Sequence, residues 1–479
     1  MKTLPAILTV FCVFPMLGKS ADSTFQPLEK PPRPNIVYIL ADDLGFADVG
    51  FHGPEIKTPH IDKLAAAGTK LEAFYVLPVC TPTRSALMTG RYPIRYGRQY
   101  NVIRPGSQVG LALEERLLPQ ALREAGYATA LCGKWHLGDF KAEYLPMARG
   151  FEHQFGFCSH GEKFTHFPKG DCGLMRDQKP ITEEGYLAHM TANEAIRQIE
   201  QRDVNKPLFL YVAFNAVHNP LECPPEYAKP YAALGPTRSL YAGMTAAMDE
   251  DIGKILEAIG RAGMASNTLI IFHSDNGGLT TKGKIASNAP LRGGKGSLYE
   301  GGVRACACAT WPVHIPAGAA LKEPLHVVDW YPTLLKLAGA ALEQKQPLDG
   351  RDIWPVLTQN KPSPHDVLLL NTVGRTGAVR MGDWKLVRNG KWDDDEDSSG
   401  AKPTREEKQK QRLARRDAPD TFELFNLAQD LGEKNNLAQQ QPDKVKELTA
   451  RLDAFAKEAV PPDLGPRPAG AKKGKTSEK

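Results

Sequence analysis

Six short segments carry side chains that could ligate a metal or move charge, and five of them sit just behind apolar runs. Asp42 and Asp43 stand in "ADDLG" after residues 35–40, and Cys80 and Arg84 in "CTPTR" after a run ending at Leu77. Lys134 and His136 stand in "GKWHLG", His218 in "NAVHNP", and Asp275 and Asn276 in "SDNGG". The sixth segment, glycine-rich "LRGGKGSLYEGG", carries Lys295. Asp42, Asp43, Asp275 and Asn276 offer only oxygen donors, which suits calcium or magnesium and excludes a soft metal. Calcium is preferred, because it tolerates an irregular oxygen cage and is plentiful outside the cytoplasm. The cations Arg84, Lys134 and Lys295, with His136 and His218, then call for a multiply oxygenated anionic substrate, sulfate or phosphate.

Cys80 admits three fates: a buried structural thiol, a catalytic thiolate, or the precursor of a modified residue. Pro82 lies close to the N1 position of a predicted helix, and Arg84 falls in its first turn. The free N–H groups and positive dipole end of that helix add to an anion site. Together with Arg84 they would lower the pKa of a thiol. Taken singly, every segment has an ordinary reading. "DDLG" can be a turn or a helix cap, "RGGKG" a plain glycine loop, and a lone histidine a hydrogen-bonded structural group. Five strand ends converging on one edge do not share such a reading.

The elements that must position these groups follow an α/β rhythm. "NIVYIL" is a nearly continuous apolar run, as expected of a strand covered on both faces. Further strands are predicted in "LEAFYVL", "YATALC", "PLFLYVAF" and "TLIIFHS", with helices in "IDKLAAAG", "LLPQALREAG" and "YAGMTAAMDEDIGKILEAIGRAG". This alternation predicts a doubly wound, mostly parallel sheet sandwiched by helices, with ligands bound beyond the carboxyl ends of its strands. The texture changes near residue 365. "GAVRMGDWKLVRN" and "TFELFNL" read as antiparallel strands and 442–459 as one amphipathic helix, a small α+β domain. The expected divisions are a signal peptide at 1–20, a linker at 21–33 and the catalytic α/β domain at 34–365. The C-terminal domain at 366–462 and a disordered basic tail at 463–479 follow.

Bulk properties bound the partners. The 479-residue chain is 42% hydrophobic and 24% charged, ordinary for a globular protein, and its net charge of +5 argues against nucleic acid. The first twenty residues have the basic start, apolar stretch and small residues of a secretory signal too short to span a membrane. The mature chain is thus expected to be secreted or periplasmic, without stable membrane insertion. Seven cysteines remain after the signal, odd in number and without zinc spacing, so no disulfide scaffold is expected. Cys158 and Cys172 flank a polar loop and could pair, and the loop at 158–190 is expected to shape a sugar pocket; it holds His160, His166 and His189, to which the sequence assigns no role.

At these residues the chain resembles the formylglycine-dependent sulfatases of the alkaline phosphatase superfamily. "CTPTRSALMTGR" matches the family signature, and "ADDLG", "GKWHLG", "VHNP", "SDNGG" and "GGKGSLYEGG" occur in the family's order. "PHIDKLAAAG", "AVHNPLECPPEYAKPY" and "PLDGRDIW" are similar to arylsulfatase B-type enzymes, which remove the 4-sulfate of N-acetylgalactosamine. The resemblance implies that a maturation enzyme oxidises Cys80 to formylglycine, whose hydrate attacks sulfur while bound to the metal. It also implies that Asp42, Asp43, Asp275 and Asn276 hold that metal, with position 80 joining them. Arg84, Lys134 and Lys295 would spread the charge on sulfate. His218, with Lys295, would protonate the leaving oxygen, and His136 would take a proton as sulfate departs. A phosphonate or phosphate ester hydrolase on the same scaffold is the alternative enzyme, and a sulfoglycan-binding protein the non-enzymatic one.

Overall fold

The computed structural model describes residues 33–100, 102–104, 106–159, 164–280, 285–390, 418–463 and 465. The expected signal peptide, His160, the charged excursion at 393–417 and most of the linker and basic tail lie outside these residues. The strands are β1 (Asn35–Ala41), β2 (Thr69–Leu71), β3 (Phe74–Tyr75), β4 (Ala128–Gly133), β5 (His153–Gly156), β6 (Met175–Arg176), β7 (Lys179–Pro180) and β8 (Leu208–Ala213). They continue with β9 (Thr268–Ser274), β10 (Ala307–Thr310), β11 (Ala319–Leu321), β12 (Leu325–His326), β13 (Leu368–Val373), β14 (Thr376–Met381), β15 (Trp384–Arg388) and β16 (Phe422–Asn426).

Ten strands form one sheet in the order β11-β2-β10-β9-β1-β8-β4-β5-β6-β7. β1 pairs in parallel with both β9 and β8, and β4 in parallel with β8 and β5, while β10 runs antiparallel to β9 and β2. The sheet is therefore mixed and mostly parallel around its centre, as the sequence predicts. Alternation along β1 explains its apolar run. Ile36, Tyr38 and Leu40 join the core on one face, and Val37, Ile39 and Ala41 the core on the other. Each such buried aliphatic contributes roughly 1.5–3 kcal/mol.

Helices cover both faces: α1 (Pro59–Ala66), α2 (Cys80–Thr89), α3 (Leu118–Glu124), α4 (Leu187–Glu200), α5 (Pro225–Ala228) and α6 (Pro236–Arg261). Leu87 of α2 and Leu122 of α3 share the Ile36 face, whereas Leu64 of α1, Ala195 of α4 and Ile252 of α6 share the Val37 face. α2 starts at Cys80 itself, so Pro82 is its third residue rather than its first, still within the turn whose N–H groups lack helical partners. The expected strand "LEAFYVL" is broken. Glu72 N closes the ladder with β11 by donating to Leu321 O (2.8 Å), while Glu72 O accepts from the Arg304 side chain (2.6 Å) rather than from a strand. Beyond that break β3 pairs with β12 instead.

The C-terminal strands form an antiparallel sheet in the order β13-β14-β15-β16. Leu369, Val379, Leu386 and Leu424 on one face share a core with Leu448 and Leu452 of the helix Pro442–Glu458. Leu370, Val387 and Phe425 on the other pack with Tyr75, Leu298 and Val303. All seven described cysteines, Cys158 and Cys172 included, are free thiols.

Gly133 ends β4 with φ +114°, and a Cβ there would stand 1.9 Å from Ala213 O of the neighbouring strand. Gly133→Ala combines backbone strain with overpacking and is expected to destabilise the protein by about 2–4 kcal/mol, measured by urea unfolding.

Candidate active site

The carboxyl ends of the central strands deliver the site. Asp275 N donates to Ala41 O (3.0 Å), Asp42 N to Ala216 O (3.0 Å) and Lys134 N to Ala213 O (2.8 Å), so chain ends leaving four strands stay laced together. Asp43 and His136 adopt left-handed backbone, φ +65° and +61°, unusual for residues other than glycine and typical of strain held at functional centres. Tyr241 and Ser274 hold the first of these turns. Gly45 N donates to Tyr241 Oη (3.0 Å) and Leu44 N to Ser274 Oγ (2.9 Å).

Ligand atoms of Asp42, Asp43, Cys80 and Asp275 lie within 4.8 Å of one another, all buried. Each carboxylate carries a cation. Lys134 Nζ lies 2.5 Å from Asp42 Oδ2, and Lys295 Nζ lies 2.7 Å from Asp43 Oδ2. Arg84 donates from Nε and Nη2 to Asp275 Oδ2 at 3.0 and 2.8 Å. Three carboxylates against three side-chain cations leave the cluster neutral, so a divalent ion would give it a surplus of two positive charges for an anion to meet. Burial, then the neighbouring Asp42, raises the Asp275 carboxyl above the usual range, against the pull of Arg84 and Lys134. Asn276 donates from Nδ2 to Asp43 Oδ1 (2.8 Å) and Gly277 O (2.9 Å), while its Oδ1 is buried without a hydrogen-bond partner. A buried, unpartnered oxygen beside three carboxylates fits a hard divalent cation.

Cys80 Sγ lies 3.3 Å from Asp42 Oδ1 and 3.9 Å from Asp43 Oδ1. Burial, then Asp275 and Asp42, pushes the thiol well above its ordinary pKa, outweighing Lys134 and Lys295. This runs against the thiolate alternative, in which the helix N-terminus and Arg84 would lower the pKa of the thiol. The acid groups delivered by β1 and β9 face the sulfur.

Exposure grades from the floor to the mouth of the site. Side chains of Asp42, Arg84, Lys134 and Asp275 are 0% exposed, that of Lys295 12% and that of His218 23%, so a substrate enters past His218 and Lys295. Asp43 foremost holds Lys295 charged, well above its usual range, against the cost of burial. Desolvation, then the charge of Lys295, pushes His218 down to about 4. His218 Nδ1 lies 2.6 Å from Asn219 O, and because a carbonyl only accepts, Nδ1 carries the hydrogen of the neutral ring. Nε2 is left as the basic nitrogen, 3.8 Å from Asp43 Oδ2. Burial, then Lys134 and Arg84, holds His136 neutral as well.

Asp42, Asp43, Cys80, Arg84, Lys134, His136, His218, Asp275, Asn276 and Lys295, the candidate residues read from the sequence, are thus brought to one edge. Two residues support the site in ways the sequence did not indicate: Asn288, which was not singled out, and His166, whose role was open. Asn288 Oδ1 accepts from Phe46 N (3.2 Å) and Gly278 N (2.9 Å), and its Nδ2 donates to Gly278 O (2.9 Å) and Gly293 O (3.1 Å), tying three of the loops together. Its only sequence signal is a polar residue just ahead of "LRGG". His166 Nε2 donates to His218 O (2.8 Å), and Glu222 accepts from His166 N (2.8 Å), bracing the His218 backbone. His189 instead pairs with Asp251 of α6 at 2.7 Å.

The Sulfatase family model matches residues 34–340. Mouse arylsulfatase J is 38% identical over 469 residues, covering 91% of this chain and 78% of its own length. Human N-acetylgalactosamine-6-sulfatase is 34% identical over 394 residues, covering 75% of this chain and 74% of its own. The crystal structure of Ps i-CgsB in complex with k-i-k-neocarrahexaose superposes with a TM-score of 0.79 at 33% identity, covering 90% of this chain and 95% of that one. A likeness of this strength, running through the large sheet and on into the C-terminal sheet, makes the chain a member of the sulfatase family.

Proposed function

We propose that the protein removes the 4-sulfate of N-acetylgalactosamine or galactose residues in a sulfated glycan. The observation that carries the hydrolysis is the neutral cluster of three buried ion pairs around position 80, which a divalent ion turns into an anion site. A sulfated sugar is supported by a relative named N-acetylgalactosamine-6-sulfatase, whose name gives the 6-position, and by a structural neighbour solved with k-i-k-neocarrahexaose. The 4-position rests on the arylsulfatase B-like segments of the sequence. Formylglycine at position 80, made from Cys80 by a separate maturation enzyme, supplies a hydrated aldehyde nucleophile, and calcium, with magnesium the alternative, supplies charge to a sulfate oxygen.

The chain's own residues do the rest. Asp42, Asp43, Asp275 and Asn276 Oδ1 hold the cation, together with position 80. Arg84, Lys134 and Lys295 offer N–H donors to the sulfate oxygens from fixed positions, so little reorganisation is needed as charge builds. His218 Nε2 takes up a proton and hands it to the leaving sugar oxygen beside the Lys295 ammonium. His136, kept neutral, accepts a proton at position 80 as sulfate is expelled. The surplus charge of a loaded site also suits a phosphate or phosphonate ester, the second reading. Export fits the signal-like N-terminus, and no helix of the described residues is long and apolar enough to cross a membrane.

Protein purified from its native host is expected to turn over an aryl sulfate more than about 100-fold faster than the matching aryl phosphate. The reverse ratio would replace sulfatase by phosphatase, and an unmodified Cys80 in the peptide mass spectrum would remove the formylglycine mechanism.

His218→Ala should lose roughly 10²–10⁴-fold in kcat on a sugar sulfate and much less on a nitroaryl sulfate, whose leaving oxygen needs no proton. An acid must be protonated to act, so with His218 at about 4 the wild-type kcat/KM for the sugar falls as pH rises above that value. The falling limb should vanish in the variant, and equal losses on both substrates would deny His218 the acid role.

Chelation should lower the melting temperature and calcium restore it, by about 2.7 kcal/mol of stability at 100 times the dissociation constant. Asn276→Ala should shrink that response, and an unchanged calcium titration would take Asn276 out of the ligand set.

A further inference from the structure

A buried ionic cluster joins the C-terminal sheet to the active site. Lys385 of β15 is fully buried, its Nζ 2.8 Å from Glu300 Oε1 and 2.8 Å from Glu433 Oε1. Glu300 Oε2 accepts from Tyr75 Oη (2.8 Å) and Arg304 Nη1 (3.1 Å), and Glu300 N donates to Glu433 Oε2 (2.6 Å). Glu300 opens one helical turn, Glu300–Val303, whose backbone touches both loops of the site. Gly277 N, directly after Asn276, donates to Gly302 O (3.0 Å). Gly301 N donates to Arg292 O (2.7 Å), at the base of the loop that presents Lys295. The fit leaves no slack, since a Cβ on Gly277 would stand 1.7 Å from Gly301 O.

Moving charges out of water is costly, and apolar side chains of similar volume could fill this space without that cost. What the charges add is a unique arrangement, because one ammonium must meet two carboxylates that also bind backbone and a phenol. We propose that Lys385 is a positioning residue of the catalytic centre: through Glu300 it fixes the turn that places Asn276 and Lys295. The C-terminal sheet is then part of the frame of the reaction. The proposal rests on the sulfatase-site reading above, which wild-type turnover and calcium binding test on their own; ratios of variant to wild type test this one.

The variant Lys385→Met/Glu433→Gln removes one charge of each sign and leaves no unmatched carboxylate. Folded protein, checked by near-UV circular dichroism, is expected to bind calcium about tenfold more weakly in thermal-shift titrations of metal-stripped samples. Its kcat on an aryl sulfate should fall by about tenfold with KM little changed. A melting temperature that shifts while calcium affinity and kcat stay within about twofold of wild type would make the cluster merely structural and overturn the proposal. Lys385→Arg keeps the charge but not the shape of the ammonium, and decides the matter if the double variant does not fold. It should weaken calcium binding and kcat by about threefold each, and wild-type values there would equally overturn the proposal.

Discussion

Three carboxylates whose ligand atoms crowd within 4.8 Å, together with a buried sulfur, can share dry protein only if each meets a positive charge. That requirement governs the architecture. Lys134, Arg84 and Lys295 come from three different parts of the chain, and each must arrive at its own carboxylate. A site so balanced is neutral and tightly held, yet two charges short of neutrality once a divalent ion enters it. The affinity for an anion is thereby written into the arithmetic of the cluster, and its strength into the exclusion of water from the floor.

A parallel sheet meets this demand economically. Its central strands end on one edge, and the register of β1 with β9 and β8 brings Ala41 beside Ser274 and Leu40 beside Ala213. Asp42 and Asp275 then emerge as neighbours without any contact between their own loops being needed to find them. The loops that follow are held by side chains that take no part in the chemistry: Tyr241, Ser274, Asn288 and His166. Their hydrogen bonds join loops delivered by strands far apart in the chain.

The strands and the polar groups behind them were legible because an apolar run buried on both faces has few other uses, and a ligand edge follows from parallel strands. The hydrophobic alternation of β14 to β16 and the helix at 442–458 were legible for the same reason. The break between β2 and β3 was not, since Arg304, whose side chain takes the Glu72 carbonyl, and β12, which pairs with β3, lie more than two hundred residues away. What sets the proton affinity of Cys80 was not legible either, because the helix and Arg84 are near in sequence, whereas Asp42 and Asp275 are near only in space. Asn288, His166 and the Lys385–Glu300 pair give no local signal either. A lone polar residue shows its purpose only when its partners are in place.

The burial of α2 has a consequence for the history of the molecule. All ten of its residues are buried, and Cys80 is only 1% exposed. No second protein could close an active site around that sulfur once the sheet and its helices have assembled. Any enzymatic change at position 80 must reach the chain while it is still extended, which sets modification and folding in a race. On the proposed formylglycine mechanism, the speed with which this fold forms would then decide what fraction of the molecules is ever competent. Two preparations with one sequence and one fold could differ in activity solely by the order in which these events happened.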